Sequence, residues 1–125
     1  MSERNYTHDH EWLKVETDGD ITIGITDYAQ EQLGDIVYVE LPAVGQAVEP
    51  GANLVVIESV KAVGEVKLPL AGVVSAINTR LADEPELVNR APLGDGWLLE
   101  LTPATPLDPA ACLDEAAYAA FVAGL

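Results

Sequence analysis

The chain has 125 residues, with 21 acidic and 6 basic side chains and a formal charge of −15. That length holds one modest core, and the acidic surplus argues against nucleic-acid or anionic-membrane partners, whose binding rests on Lys and Arg. No apolar run approaches the roughly 20 residues that span a bilayer; with the polar start MSERNYTHDHEW and a single cysteine, Cys112, this predicts a cytoplasmic monomer without an internal disulfide.

The acidity has two readings. It speeds encounter with basic protein faces, or it serves solubility or a saline cytosol.

Near the N-terminus, His8, Asp9, His10 and Glu11 fall on a strand-like stretch. Metal ligation is one reading, but the chain has only 2 histidines and no third to complete a zinc set. Trp12 reads as core. After the turn cluster ETDGD comes the first clear strand, ITIGI, alternating and β-branched. The next segment, TDYAQEQLG, reads as a short helix near 27–33, with Asp27 as N-cap, Gln30 three residues on and Gly34 closing it. Strand-like runs follow at IVYVEL, NLVVIES, GEVKL, GVVSAI and GWLLEL. Turn-rich LPAVG, EPG, LPLAG, NTRLADEPEL and APLGDG separate them. Many short strands broken by Gly and Pro predict a mainly β sandwich or barrel.

VELPAVG (39–45) and VKLPLAG (66–72) align at an offset of 27 residues. Two copies are too few for a solenoid, but they suit a sandwich of two similar halves, each a strand, a Pro-Gly corner and a strand. The tail changes character. Pro103, Pro106 and Pro109 mark an exit from β structure, and a helical segment is predicted over 108–123. Asp108 and Pro109 start it, Asp114 starts its second part, and Gly124 ends it. Leu113, Tyr118, Phe121 and Val122 supply a face to pack on the sheet. Cys112 reads as a small apolar residue, since no neighbouring cation would activate its thiol.

The stretch that carries chemistry is ESVKA, residues 58–62. LVVIE enters and VGEV leaves, so the chain reverses between Ser59 and Ala62 and projects Lys61 into water. An exposed lysine is cationic at neutral pH and a poor nucleophile or base. It is, however, open to a modifying enzyme that acylates its amine and removes its charge. A plain solvated turn lysine satisfies the same residues. No nucleophile elbow, phosphate loop or dinucleotide motif is present, so the chain does not read as an enzyme.

These motifs together resemble the H protein of the glycine cleavage system. The resemblance spans about 6–101 and includes YTHDHEW, ITDYAQEQLGDIVYVELPAVG, ESVKA, PELVN and GDGW. It implies a barrel-sandwich hybrid in one lipoyl-carrier domain over 1–125, with lipoate amide-linked to Lys61 by a lipoate ligase or lipoyl transferase. Glu58, Ser59, Val60 and Ala62 form the attachment context, and Glu58 is open to a basic ligase surface. Glu11 resembles the residue lining the cleft where a loaded arm rests, and Glu65 stands where the family places an arm-presenting Asp. The related biotinyl tip usually resembles Met-Lys-Met, which Val60-Lys61-Ala62 does not match.

On this resemblance the arm shuttles a methylamine intermediate from glycine decarboxylase to an aminomethyltransferase, and dihydrolipoamide dehydrogenase reoxidises it. The chain departs from the family pattern at Gly64 (usually Ser), Lys67 (usually Tyr) and Leu93 (usually Tyr). Those departures and the acidic surface leave an alternative open. An H-like lipoate-binding protein would carry sulfur-bearing intermediates beside a heterodisulfide-reductase-like complex of sulfur oxidation. A non-lipoylated adaptor that only docks is the reading from another class.

Overall fold

A computed structural model describes residues 4–68, 70–105, 107 and 112–125. Among the described residues nine strands form two antiparallel sheets. They are β1 (Arg4–Tyr6), β2 (Glu11–Val15), β3 (Ile21–Ile25), β4 (Ile36–Glu40), β5 (Ala47–Val48), β6 (Asn53–Ser59), β7 (Val63–Lys67), β8 (Gly72–Ile77) and β9 (Leu99–Pro103). The larger sheet runs β1-β2-β3-β9-β8-β5 and the smaller β4-β6-β7. The mainly β expectation holds, and the apolar side chains enclosed by the sheets make one continuous core. Leu13, Ile23, Leu98, Leu99 and Leu101 at its centre have no solvent exposure.

The internal repeat has a structural meaning. Val39 and Val66, its matched positions, are both buried, on β4 and β7, which flank β6. Each copy then turns a corner out of the small sheet and enters the large one, as β5 and as β8, and these two strands pair. The matched glycines serve different needs. Gly45 has φ 91°, a left-handed conformation that favours glycine. Gly72 lacks that strain but lies so close to the β9 backbone that any Cβ would collide with it.

Three helices are described. The first, α1 (Asp27–Leu33), matches the expected span. Its N-cap is Thr26 rather than Asp27: the Thr26 hydroxyl accepts from the Ala29 amide at 3.2 Å, and Asp27 instead accepts from the Gln30 side chain. The stretch read as a turn-rich connection holds a 3-10 turn (Thr79–Ala82) and α2 (Leu87–Arg90). Buried Leu81, Leu87 and Val88 anchor both to the core, a contact that such short spans do not announce. The last helix, α3 (Glu115–Ala123), starts at Asp114, whose carboxylate accepts from the Ala117 amide. The expected start at Asp108–Pro109 lies outside the described residues. The α3 face packs on β1, the edge strand of the larger sheet, and on the turn after it: Tyr118 and Phe121 meet Tyr6, His8 and His10.

Three strands differ from the sequence reading. The first two, β1 and β2, carry charges that mask their period, and β5 is too short to show one. The final strand starts later than GWLLEL suggests, because the turn continues through Trp97, whose amide donates to Gly94. The stretch at 8–10 is a turn, not a strand, and His10 has φ 67°.

Trp12 is 2% exposed and pairs with Gly24 across β2 and β3. Its indole lies against that glycine, and its N–H donates to the Pro92 carbonyl at 2.9 Å. A Cβ on Gly24 would sit 2.6 Å from the indole ring. Gly24→Ala is therefore expected to destabilise the fold by about 1–3 kcal/mol through overpacking, measured as a lower urea midpoint with an unchanged slope.

Candidate functional site

The β6–β7 hairpin presents Lys61. Glu58 and Val63 are its last paired residues, and Ser59 donates its backbone N–H to the Ala62 carbonyl at 2.8 Å. Two-residue hairpins usually use turns with positive φ, yet neither Val60 nor Lys61 has one. The Ser59 hydroxyl supplies the closure instead. It accepts from the Lys61 amide at 3.3 Å and the Ala62 amide at 2.9 Å, and donates to the Ala62 carbonyl at 3.1 Å.

A second brace comes from below. Val60 donates its N–H to the Asp35 carbonyl. The Asn89 side chain, on α2, accepts from the Ile36 amide and donates to the Gly34 carbonyl and to Gln30. The turn thus rests on the junction of α1 and β4. Gly34, at φ 83°, lets the Lys61 stem pass; a Cβ there would be 3.0 Å from the lysine Cε.

The lysine itself is exposed, and among the described residues it makes no salt bridge. The backbone is held and the amine is free, an arrangement that fits a covalently attached acyl arm. Val60 and Val63 beside it are 70% and 66% exposed. Glu58 faces solvent in a row with Tyr38 and Val63.

Beside the hairpin lies a cleft of about 200 Å³. Ile25, Ile57 and Val66 line it from the two sheets, Tyr28, Ala29 and Leu33 from α1, and Asp9, His10 and Glu11 from the N-terminal turn. Gly64 and Glu65 form its lip, three and four residues past Lys61. Gly64 is paired with Ile57 in the ladder, and the Leu33 side chain approaches to 3.1 Å of where a Cβ would stand. Glu65 is exposed and accepts from the Asn53 side chain at 2.9 Å.

Glu11 is the buried group of this cleft, at 2% exposure. One carboxyl oxygen accepts from the Thr7 hydroxyl at 3.0 Å and the other from the Lys67 amide at 3.2 Å. Burial pushes its pKa up to about 7 from an ordinary 4.5, and the two hydrogen bonds offset only part of that rise. Glu11 and Glu65 therefore share one cleft, and Lys61 precedes its lip by three residues in the chain. Among the described residues no group of three or more His, Cys, Asp or Glu side chains is placed to hold a metal ion.

Residues 4–124 match the family described as Glycine cleavage H-protein. The chain belongs to that family. A glycine cleavage system H protein of Opitutus terrae is 52% identical over 90% of this chain and 89% of its own. One from Rhodospirillum rubrum is 48% identical over 100% of this chain and 99% of its own. The crystal structure of a glycine cleavage system H protein from Mycobacterium marinum superposes with a TM-score of 0.87 at 36% identity, covering 98% of both chains. The fold is thus the barrel-sandwich hybrid of H proteins. As an H protein, the chain is a non-catalytic lipoyl carrier of the glycine cleavage system, in a family that carries a covalent lipoyl-lysine. These relatives give no support to the sulfur-oxidation alternative. No helix among the described residues is long and apolar enough to cross a membrane.

Sequence reasoning missed Asn89 and Gly34 as parts of the site, and weighed His10 only as a metal ligand. PELVN and EQLG were visible as motifs, but nothing in them says that they meet under the hairpin.

Because folding raises the Glu11 pKa, the native state holds its proton more tightly than the unfolded chain does. The stability this confers is complete below about 4.5 and is lost as pH rises through about 7. Glu11→Gln is expected to remove that loss, so the difference in unfolding free energy between parent and variant should grow in the variant's favour from pH 4.5 to 7.

Proposed function

We propose that Lys61 carries the lipoyl group as an amide on Nζ, and that the cleft at Glu11 and Glu65 receives the arm. The observation that carries this reading is the contrast at the hairpin tip: every backbone N–H from Ser59 to Ala62 has a hydrogen-bond acceptor, while the lysine is exposed and makes no salt bridge among the described residues. Attachment removes one cation and leaves the turn's hydrogen bonds untouched, since none uses Nζ.

The attachment context then has separate tasks. Ser59 braces the turn, Val60 and Ala62 keep it narrow, and Glu58 faces the basic surface of a lipoate ligase or lipoyl transferase. When bound, the group supplies a dithiolane whose sulfurs undergo reduction and reoxidation. Glu11 serves cargo that bears an amine. Its carboxyl is short of a cation in the cleft, and an ammonium there would draw it toward the ionised form through a charge-assisted hydrogen bond. Glu65 at the lip adds a second negative charge along the entry.

On this reading glycine decarboxylase loads the arm with methylamine, aminomethyltransferase unloads it, and dihydrolipoamide dehydrogenase reoxidises it, in the cytoplasm. The large acidic surplus speeds encounter with basic docking faces on those enzymes.

Lys61→Arg keeps the charge and removes the acylatable amine. With a lipoate ligase present, the parent should gain one lipoyl mass increment mapping to Lys61, and the variant none, while both show the same thermal unfolding. A lipoyl increment on Lys14 or Lys67 in the variant would refute the assignment.

A further inference from the structure

The C-terminal helix ends in contact with the residues that build the cleft wall. Tyr6 and Leu113 exchange two backbone hydrogen bonds of 2.7 Å, which fasten the start of α3 to β1. The Tyr118 ring stacks on Tyr6 with centroids 4.6 Å apart. Its hydroxyl lies 2.8 Å from His10 Nδ1 and 2.6 Å from Thr26 Oγ1. His10 is the residue before Glu11, its ring packs on Tyr28, and both His10 and Tyr28 line the cleft. Thr26 is the buried N-cap of α1, the helix that forms the opposite wall.

We propose that Tyr118 is a positioning residue for the arm cleft: through one hydroxyl it holds His10, and so the start of β2 that carries Glu11, at a fixed distance from the N-terminus of α1. This inference rests on the cleft receiving the arm.

Either hydroxyl of the Thr26–Tyr118 pair can donate; in the arrangement we assign, Thr26, which also accepts the Ala29 amide proton, donates to the Tyr118 oxygen. Tyr118 then donates to an unprotonated His10 Nδ1. The chain runs Thr26 to Tyr118 to His10 and requires a neutral imidazole with its proton on Nε2. Burial lowers the His10 pKa and so favours that form, against the opposing charge of Asp9. His10 also needs the help. Its φ of 67° is unfavourable for a residue with a side chain, and it persists only where neighbours over-determine it.

Tyr118→Phe in the full, lipoylated chain tests this, because it keeps the stack on Tyr6 and removes only the hydroxyl. Nitrogen NMR of His10 should show the Nε2–H form in the parent and a tautomer mixture in the variant. Loss of one hydrogen bond should also speed spontaneous loss of methylamine from the loaded arm, without partner enzymes, by roughly two- to tenfold. A parent arm protected relative to a free lipoyl-lysine adduct, with equal rates in parent and variant, overturns the role of Tyr118 and leaves the cleft reading standing. An unchanged His10 tautomer also overturns it. A parent arm no better protected than the free adduct sinks the cleft reading, and this inference with it.

Discussion

The Ser59 hydroxyl carries the presentation of Lys61. Without its bonds to the Lys61 and Ala62 amides, a reversal lacking positive φ would leave those donors to water and the turn ill-defined. With them, a two-residue tip needs no glycine, and an exposed valine and lysine can occupy it. The consequence is a division of labour within one turn. The backbone loses its freedom and the lysine keeps its own, so an attached arm swings from a base that does not move.

The cleft shows the opposite design. Its central polar group is buried and incompletely compensated: Glu11 has two neutral donors and no cation among the described salt bridges. Burial of that kind is costly unless something charged arrives. On the proposed reading, a carrier gains from such a site, because it holds cargo by its charge and lets it go when the charge leaves with the cargo. The walls that set this geometry come from distant parts of the chain: α1, the turn before β2, and α3 behind both.

Much of this was legible in the residues. ITIGI, NLVVIES and GVVSAI have strand periods, and their ends fall where the turn residues place them. ESVKA is local, so its reversal could be read from the runs on either side. Glu11 was found only by resemblance; a lone acid before Trp12 gives no sign of burial. Asn89 and Tyr118 were opaque for a physical reason. Asn89 meets Ile36 from 53 residues away, and Tyr118 meets His10 from 108. Side-chain hydrogen bonds at such separation leave no period. The charged strands β1 and β2 failed differently, because one face of each meets solvent or a cation and breaks the alternation.

The crossing of the two repeat copies has a mechanical meaning. The segment from β5 to β8 leaves the large sheet, forms the hairpin and returns, and its two ends are zipped by the pairs Ala47–Val73 and Val48–Gly72. A further bond from the Gly51 amide to the Leu68 carbonyl closes the base above them. A pull on the lysine is therefore shared by both legs of a closed loop rather than carried by one strand. A carrier tugged repeatedly by the enzymes it visits has its tether tied off at the root.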